Sequence, residues 1–338
     1  MSDSFPHRRE FCARNAVAAA TCLGLGRNVL AANPAQPKAQ IAITLDLEMS
    51  RNFPRREDLH WDYQKGNLDQ AAKDYTTRAC QLVKERGGII HTFVVGQVFE
   101  QADVDWLQRI ADDGHPIGNH TYDHVYVLAK DLNSLQYRFQ RAPWLIEGRS
   151  PQDVIRQNIA LTTKALQHRI GVEPTGFRTP GGFAKGLAGR PDIQRMLLDL
   201  GYEWVSSKYP KHDIEDIHTT GNPPANHIYE SIVAAQAAAQ PFVYPTGLIE
   251  VPMSPISDIG AFRNGRWQLP HFLKAVNLAM QWTLEHRATF DFLAHPSCLG
   301  IVDPQLQTIR LICDLVESAG DQAELVDLTT LAQRATTR

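Results

Sequence analysis

The sequence predicts an α/β fold, a parallel sheet wrapped by helices that is either open or closed into a barrel. Three observations lead to this prediction. Short apolar runs alternate with helical patterns from about residue 41 to residue 320, which is typical of parallel strands joined by helices. The chain has 338 residues, 43% of them hydrophobic, enough for one large α/β domain. It shows no internal repeat and no low-complexity tract.

The predicted elements follow in a regular order. IAITLDLE (41–48) reads as a strand, and the helical spacing of 68–88 ends at a glycine pair. Strands at 89–96 and 115–119 enclose a helix at 104–114. The remaining elements are a helix at 153–171, a strand and turn at 175–182, a helix at 193–201, strands at 202–207 and 247–254, a helix at 270–287, a strand at 289–296 and a helix at 303–320.

Two segments, 126–150 and 209–245, interrupt the alternation and read as insertions. Long loops on such a scaffold are usually functional. We expect the first insertion to wall a substrate groove.

The amino terminus differs from the rest of the chain. Residues 1–32 contain the Arg8-Arg9-Glu10-Phe11 pattern of a twin-arginine export signal, then a weakly apolar run that is too short to span a membrane. A Pro/Ala linker follows at 33–40, and 41–332 is predicted to be a single catalytic domain. We therefore expect a periplasmic or extracellular protein that starts near Asn33.

Composition excludes several partners. The formal net charge is −3 and the basic residues form no stripe, which argues against nucleic acid and anionic membrane surfaces as partners. The five cysteines include no Cys-x-x-Cys pair, and those beyond the signal form no disulfide framework. Any metal should therefore be held by histidines and carboxylates. No protein partner can be inferred.

Polar residues fall where predicted strands end. Asp46 and Glu48 close the first strand, and His120 and His124 follow a short one. Arg178 and His295 end two other strands. These six residues form the candidate site. The carboxyl ends of parallel strands converge on one face of such a fold, where sites are built. A carboxylate with two histidines and open positions is a catalytic way to hold a divalent transition ion.

The acid pair has its own geometry. Residues two apart in a strand project to the same side, so Asp46 and Glu48 should both enter the pocket while Leu47 enters the core. The sequence alone does not separate a metal ligand from a general base in this pair.

These residues resemble the polysaccharide deacetylases of carbohydrate esterase family 4. GNHTYDH (118–124) is similar to the family's metal motif, FRTPGG (177–182) to its arginine motif, FLAHP (292–296) to its Leu-x-His motif, and HTFVVG (91–96) to one of its strands. The resemblance runs from about residue 40 to about 318. It implies a deformed (β/α) barrel of about seven parallel strands and metal-dependent removal of acetyl groups from an amino-sugar polymer such as peptidoglycan.

The family's motifs assign roles to individual positions. The resemblance implies that Glu48, His120 and His124 bind one divalent ion, zinc ahead of cobalt or nickel. Asp46 would be the base, Arg178 its ion-pair partner and His295 the acid that protonates the leaving nitrogen. Thr121, Pro180 and Gly182 would contact an acetylated carbohydrate.

The sequence also departs from the family pattern. The spaced pair in TLDLE (44–48) resembles a divergent branch that includes atypical peptidoglycan deacetylases and allantoinase-like cyclic-amide hydrolases, so the roles of Asp46 and Glu48 could be exchanged. The aspartate of the family's fourth motif is missing. Asp258 is the first candidate to replace it, and Asp213 and Asp216 are the next candidates. Two alternatives stay open, a cyclic-amide hydrolase and a carbohydrate-binding relative without catalysis.

Overall fold

A curled, mostly parallel sheet organises the chain. The computed structural model describes residues 37–49, 65–215, 217 and 222–336. The strands are β1 Ala39–Leu47, β2 Ile90–Val94, β3 Ile117–Asn119, β4 Gly176–Phe183, β5 Trp204–Lys208, β6 Phe242–Val243, β7 Ile249–Glu250, β8 Thr289–Ala294 and β9 Ala323–Leu325. Their order is β6-β7-β5-β4-β3-β2-β1-β8, with β9 added to β1. Only the β6–β7 pairing is antiparallel among the described strands.

Helices connect the strands in the predicted alternation. They are α1 Gln70–Glu85, α2 Asp105–Asp112, α3 Tyr137–Arg141, α4 Pro151–Ile170, α5 Pro191–Asp199, α6 Asn226–Ala235, α7 Leu269–His286, α8 Leu299–Val302, α9 Gln307–Ala319 and α10 Leu328–Ala335. The predicted (β/α) barrel is confirmed in this curled form. The sequence patterns did not reveal β6, β9, α3, α6, α8 or α10.

Hydrophobic packing closes one end of the curl. Leu328 and Leu331 of α10 belong to the same buried cluster as Phe93 and Trp204, whose rings meet edge to face with centroids 6.1 Å apart. A larger cluster packs α1, α2, α7 and α9 against the outer face of β1, β2 and β8. Because apolar side chains fill the outer face and that end, polar side chains gather at the carboxyl ends of the strands.

Helix α4 fixes the crossover that carries the histidine motif. Ser150 and Asp153 form a capping box at its start, and Gly171 ends it with a left-handed backbone (φ 66°). The Asn119 amide at the end of β3 donates to the Ile159 carbonyl of α4 (2.8 Å). The loop after β3 is therefore anchored to a rigid helix.

The predictions for the amino terminus and the cysteines can be compared with the structure only where residues are described. The predicted export signal at 1–32 lies outside the described residues, whereas β1 already includes the last two residues of the predicted linker. No helix in the described part of the chain is both long and apolar enough to cross a membrane. Cys80, Cys298 and Cys313 are buried free thiols.

Candidate active site

Asp46 and Glu48 lie at the carboxyl end of β1, which pairs with β2 on one side and β8 on the other. Strand alternation turns Leu47 into the outer hydrophobic cluster and Asp46 to the opposite, inner side. Glu48 follows the strand directly, and both carboxylates are buried, with exposed fractions of 4% and 8%. Buried carboxylates need partners, and the neighbouring strand ends supply them.

The histidine loop that follows β3 has an unusual backbone. Thr121 and His124 adopt left-handed conformations (φ 60° and 58°), which non-glycine residues rarely do. Side chains within the loop stabilise it, since Asn119 Oδ1 accepts from the Thr121 amide (2.8 Å) and Thr121 Oγ1 accepts from the Val125 amide (3.0 Å). Backbone strain of this kind concentrates at functional sites, where the surrounding structure fixes it.

The loop brings both histidines to Glu48. Glu48 Oε1 lies 3.1 Å from His120 Nε2 and 3.0 Å from His124 Nε2, and ligand atoms of the three residues lie within 4.8 Å of one another. His120 Nδ1 is 3.0 Å from the Arg178 carbonyl, which fixes this nitrogen as a donor and leaves the Nε2 lone pair facing the cluster. The predicted ligand set is thus brought together in space.

Positive and ionisable neighbours set the charge of this cluster. Burial raises the pKa of Glu48, but His124, Lys65 and His295 lower it, and the net pKa is well below the ordinary value. Burial lowers the pKa of His124 to about 3, so its imidazole is neutral and can act as a ligand. The Lys65 ammonium contacts Glu48 and is buried. Sequence reasoning missed Lys65 because it follows no strand.

Asp258 orients His295. Its carboxylate accepts from His295 Nδ1 (2.9 Å), from the His295 amide (2.7 Å) and from the Leu299 amide (3.2 Å). Burial lowers the pKa of His295, but the charges of Asp258 and Glu48 outweigh it and raise the pKa well above the ordinary value. Of the candidates to replace the missing aspartate, Asp258 holds the position; Asp213 is exposed, and Asp216 lies outside the described residues.

Arg178 lies near two carboxylates. Its Nη1 lies 3.8 Å from Asp46 Oδ1, so the two charges are neighbours, but its hydrogen bonds go to Asp291 Oδ2 (2.9 Å) and Thr44 Oγ1 (3.1 Å). The guanidinium also lies over the Phe93 ring, 4.7 Å from its centroid. Asp291 is therefore the closer of its two ion-pair partners, and Asp46, the predicted one, is the more distant. Period-two spacing could have revealed Asp291, since it lies in β8 four residues before His295, which directly follows that strand.

The Arg178–Asp291 pair yields a prediction on stability. Both side chains are fully buried, so Asp291→Ala should lower the free energy of unfolding by about 3–5 kcal/mol by leaving a buried cation without its carboxylate. Urea denaturation measures this difference. The matched control is Asp199→Ala, which breaks an exposed pair with Arg156 and should cost about 1 kcal/mol or less. Equal losses in the two variants would contradict the prediction.

A cavity of about 530 Å³ opens beside the cluster and is lined in part by Asp46, Glu48, His124 and His295. Gly182 also lines it, as predicted for a substrate-binding position. A Cβ there would lie 2.6 Å from Tyr209 Cβ, so glycine is required by this close approach.

Other substrate predictions need correction. Thr121 is fully buried and its hydroxyl is used within the loop, so its side chain does not line the cavity. Pro180 is buried as well and is not among the lining residues. The first insertion, 126–150, contributes no lining residue, whereas the second insertion does so through residues 209–212 and Ile214. The second insertion, which follows β5, therefore forms part of the wall, whereas the first insertion does not.

Comparison with known proteins agrees with this geometry. Residues 61–203 match the family model described as polysaccharide deacetylase. This segment of the chain is similar to the polysaccharide deacetylases. The matched segment includes the histidine and arginine motifs, and Asp46, Glu48 and His295 lie outside it. A search of curated proteins found no match.

Three solved structures are similar to this chain to different degrees. A Mycobacterium smegmatis protein assigned to the polysaccharide deacetylases is 15% identical with a TM-score of 0.59, over 90% of this chain and 93% of the other. A peptidoglycan deacetylase from Bacillus subtilis is 12% identical (TM-score 0.42; 89% and 92% covered). A pseudoenzyme of carbohydrate esterase family 4 from Bacillus anthracis is 13% identical (TM-score 0.44; 87% and 66% covered). The first comparison shows the fold alone.

Proposed function

We propose that the protein hydrolyses an amide bond with the help of one divalent transition-metal ion, and that it removes acetyl groups from an amino-sugar polymer of the cell surface. The supporting observation is the position of Glu48 Oε1, which faces His120 Nε2 at 3.1 Å and His124 Nε2 at 3.0 Å. The same carboxylate lies at the mouth of a cavity large enough for a sugar ring.

The donor set fits such an ion. One carboxylate oxygen and two imidazole nitrogens are the ligands of many catalytic zinc sites, and they suit zinc, cobalt or nickel better than calcium. The Arg178 carbonyl accepts from the other ring nitrogen of His120, Nδ1, and so fixes the orientation of the imidazole, as is usual for histidines that bind metals. When bound, the ion supplies Lewis-acid stabilisation of the charge that develops on the amide oxygen and makes water more acidic.

Two side chains are placed to move protons. Asp46 Oδ2 lies 3.8 Å from His120 Nε2 and 3.9 Å from His295 Nε2, between the ligand cluster and the acid. We assign Asp46 to take the proton of the attacking water. His295 then donates a proton from Nε2 to the leaving nitrogen, because Asp258 engages Nδ1 and keeps the ring turned towards the cavity.

Arg178 and Asp291 support the base. Arg178 keeps a positive charge 3.8 Å from Asp46 Oδ1, and Asp291 and Thr44 hold the guanidinium in that position. The assignment of catalytic roles is therefore Asp46 as base, His295 as acid and Arg178 as the charge beside the base.

The expected activity can be tested directly. Mature protein, stripped of metal with a chelator and reloaded with zinc, cobalt or nickel, should release acetate from an N-acetylglucosamine oligomer, and the stripped protein should not. Allantoin serves as the comparison substrate. Ring opening of allantoin without acetate release would make the protein a cyclic-amide hydrolase, and no turnover of either compound in the loaded protein would favour the non-catalytic alternative.

The location follows the proposed substrate. A twin-arginine signal at 1–32 would deliver the folded, metal-loaded domain to the compartment that contains cell-surface polymers. Export also weakens the case for small-molecule amide metabolism.

A further inference from the structure

A buried lysine contacts two of the proposed metal ligands. The Lys65 ammonium forms an ion pair with Glu48 Oε2, and its Nζ lies 3.4 Å from His124 Nε2. The Lys65 side chain is only 1% exposed. Burying an ammonium costs free energy unless nearby groups compensate for the lost hydration, so a lysine at this position requires a strong partner. Lys65 therefore places a positive charge directly beside the ligand set.

Hydrogen bonds of the adjoining backbone fix where this ammonium lies. The Gly66 amide donates to the Glu48 carbonyl (2.6 Å), so the residue after Lys65 is bound to the residue that Lys65 contacts. Gln101 Nε2, from the connection after β2, donates to the carbonyls of Leu68 (3.1 Å) and Gly66 (3.4 Å). These bonds hold the turn against the carboxyl end of β1. The contact between Lys65 and Glu48 is thus part of the fold and does not depend on two exposed side chains.

The two oxygens of Glu48 have different neighbours. Oε1 lies 3.1 Å from His120 Nε2 and 3.0 Å from His124 Nε2, whereas Oε2 is the oxygen that pairs with Lys65. A carboxylate can bind a metal ion through one oxygen or through both, and an ammonium on Oε2 leaves Oε1 for an ion shared with the imidazoles. Among the described residues that line the cavity, Glu48 and His124 are present and Lys65 is not. Lys65 therefore acts through the ligands and not on a substrate.

We propose that Lys65 is a positioning residue that limits Glu48 to binding the metal ion through one oxygen and lowers the affinity for that ion. This inference rests on the proposed metal-dependent function and adds to it a control on how the ion is held. Two positive charges at one carboxylate repel each other, and the repulsion is stronger in a buried site than in water. One-oxygen binding by Glu48 keeps coordination positions open for water and for the amide oxygen, as a catalytic site requires.

The test measures the Kd for zinc of the metal-stripped protein by competition with a chromophoric chelator. Lys65→Met keeps the length of the side chain and removes its charge, so it should bind zinc about tenfold more tightly than the wild type. Lys65→Arg keeps the charge and should have an affinity near that of the wild type. Lys84→Met is the matched control, because Lys84 is exposed on α1 and donates to the Asp113 carbonyl, and its zinc affinity should be unchanged.

Bound Co²⁺ gives a second measurement, since its visible absorption weakens as the coordination number rises above four. In Lys65→Met both oxygens of Glu48 are available, so its cobalt form should absorb less strongly than the cobalt form of the wild type. A lysine required only for folding predicts the opposite change in affinity, because a disturbed site binds zinc more weakly.

The outcomes separate this inference from the function on which it rests. If the wild type binds neither zinc nor cobalt, the proposed metal-dependent function fails. If the wild type binds zinc and Lys65→Met binds it with equal or lower affinity, only the role of Lys65 is refuted. Equal tightening in Lys65→Met and Lys65→Arg would also contradict that role, because charge would not be the cause. Unchanged cobalt absorption in Lys65→Met would refute the restriction of Glu48 to one oxygen.

Discussion

His120→Ala and His124→Ala should each lose the bound metal and lower turnover by about 10³-fold or more, because a transition-metal ion supplies several kcal/mol of stabilisation in the transition state. Each imidazole lies within 3.1 Å of Glu48 Oε1, so both take part in one ligand set. Metal content by mass spectrometry, together with acetate release, measures the two effects.

The matched control for this prediction is His168→Ala. His168 is exposed on α4, and its replacement should leave metal content and turnover as in the wild type. Full metal content in both His120→Ala and His124→Ala would contradict the proposed site. Loss in only one variant would show that the ion takes a different third ligand, for which His295, 3.5 Å from Glu48 Oε1, is the nearest candidate.

The sequence predicted those parts of the site that depend on strand geometry. Asp46 and Glu48 could be located because residues two apart in a strand project to the same side, so the two acids had to share the pocket side of an otherwise apolar strand. Arg178 lies in β4 and His295 directly follows β8. Because the carboxyl ends of parallel strands converge, the two side chains lie near the acid pair.

Loops carry the parts that the sequence could not predict. Thr121 was expected to face the substrate, but the left-handed backbone at Thr121 and His124 turns the Thr121 hydroxyl back into the loop. Lys65 reaches Glu48 from a turn with no periodic pattern, and the choice of the second insertion as cavity wall depends on tertiary packing. Side-chain direction in such segments follows from long-range contacts, which spacing along the chain does not encode.

The different roles of Asp46 and Glu48 follow from the histidine side chains that lie near each carboxylate. Glu48 Oε1 lies close to both His120 Nε2 and His124 Nε2, whereas the Asp46 carboxylate approaches only His120 among them, at 3.8 Å. Asp46 also lies 3.9 Å from His295, the proposed acid. This arrangement favours Glu48 as the ligand and Asp46 as the base.

Asp46→Asn and Glu48→Gln should therefore have different effects on metal content. Both substitutions remove a charge with little change in shape. Asp46→Asn should keep the ion but lower single-turnover rates by about 10²-fold or more, the usual contribution of a positioned general base. Glu48→Gln should weaken metal binding by about tenfold or more, because a neutral amide oxygen is a poorer ligand than a carboxylate. Metal titration beside single-turnover kinetics at saturating metal separates binding from chemistry. If Asp46→Asn loses the ion while Glu48→Gln keeps it, the roles are exchanged and Asp46 is the third ligand beside the two histidines.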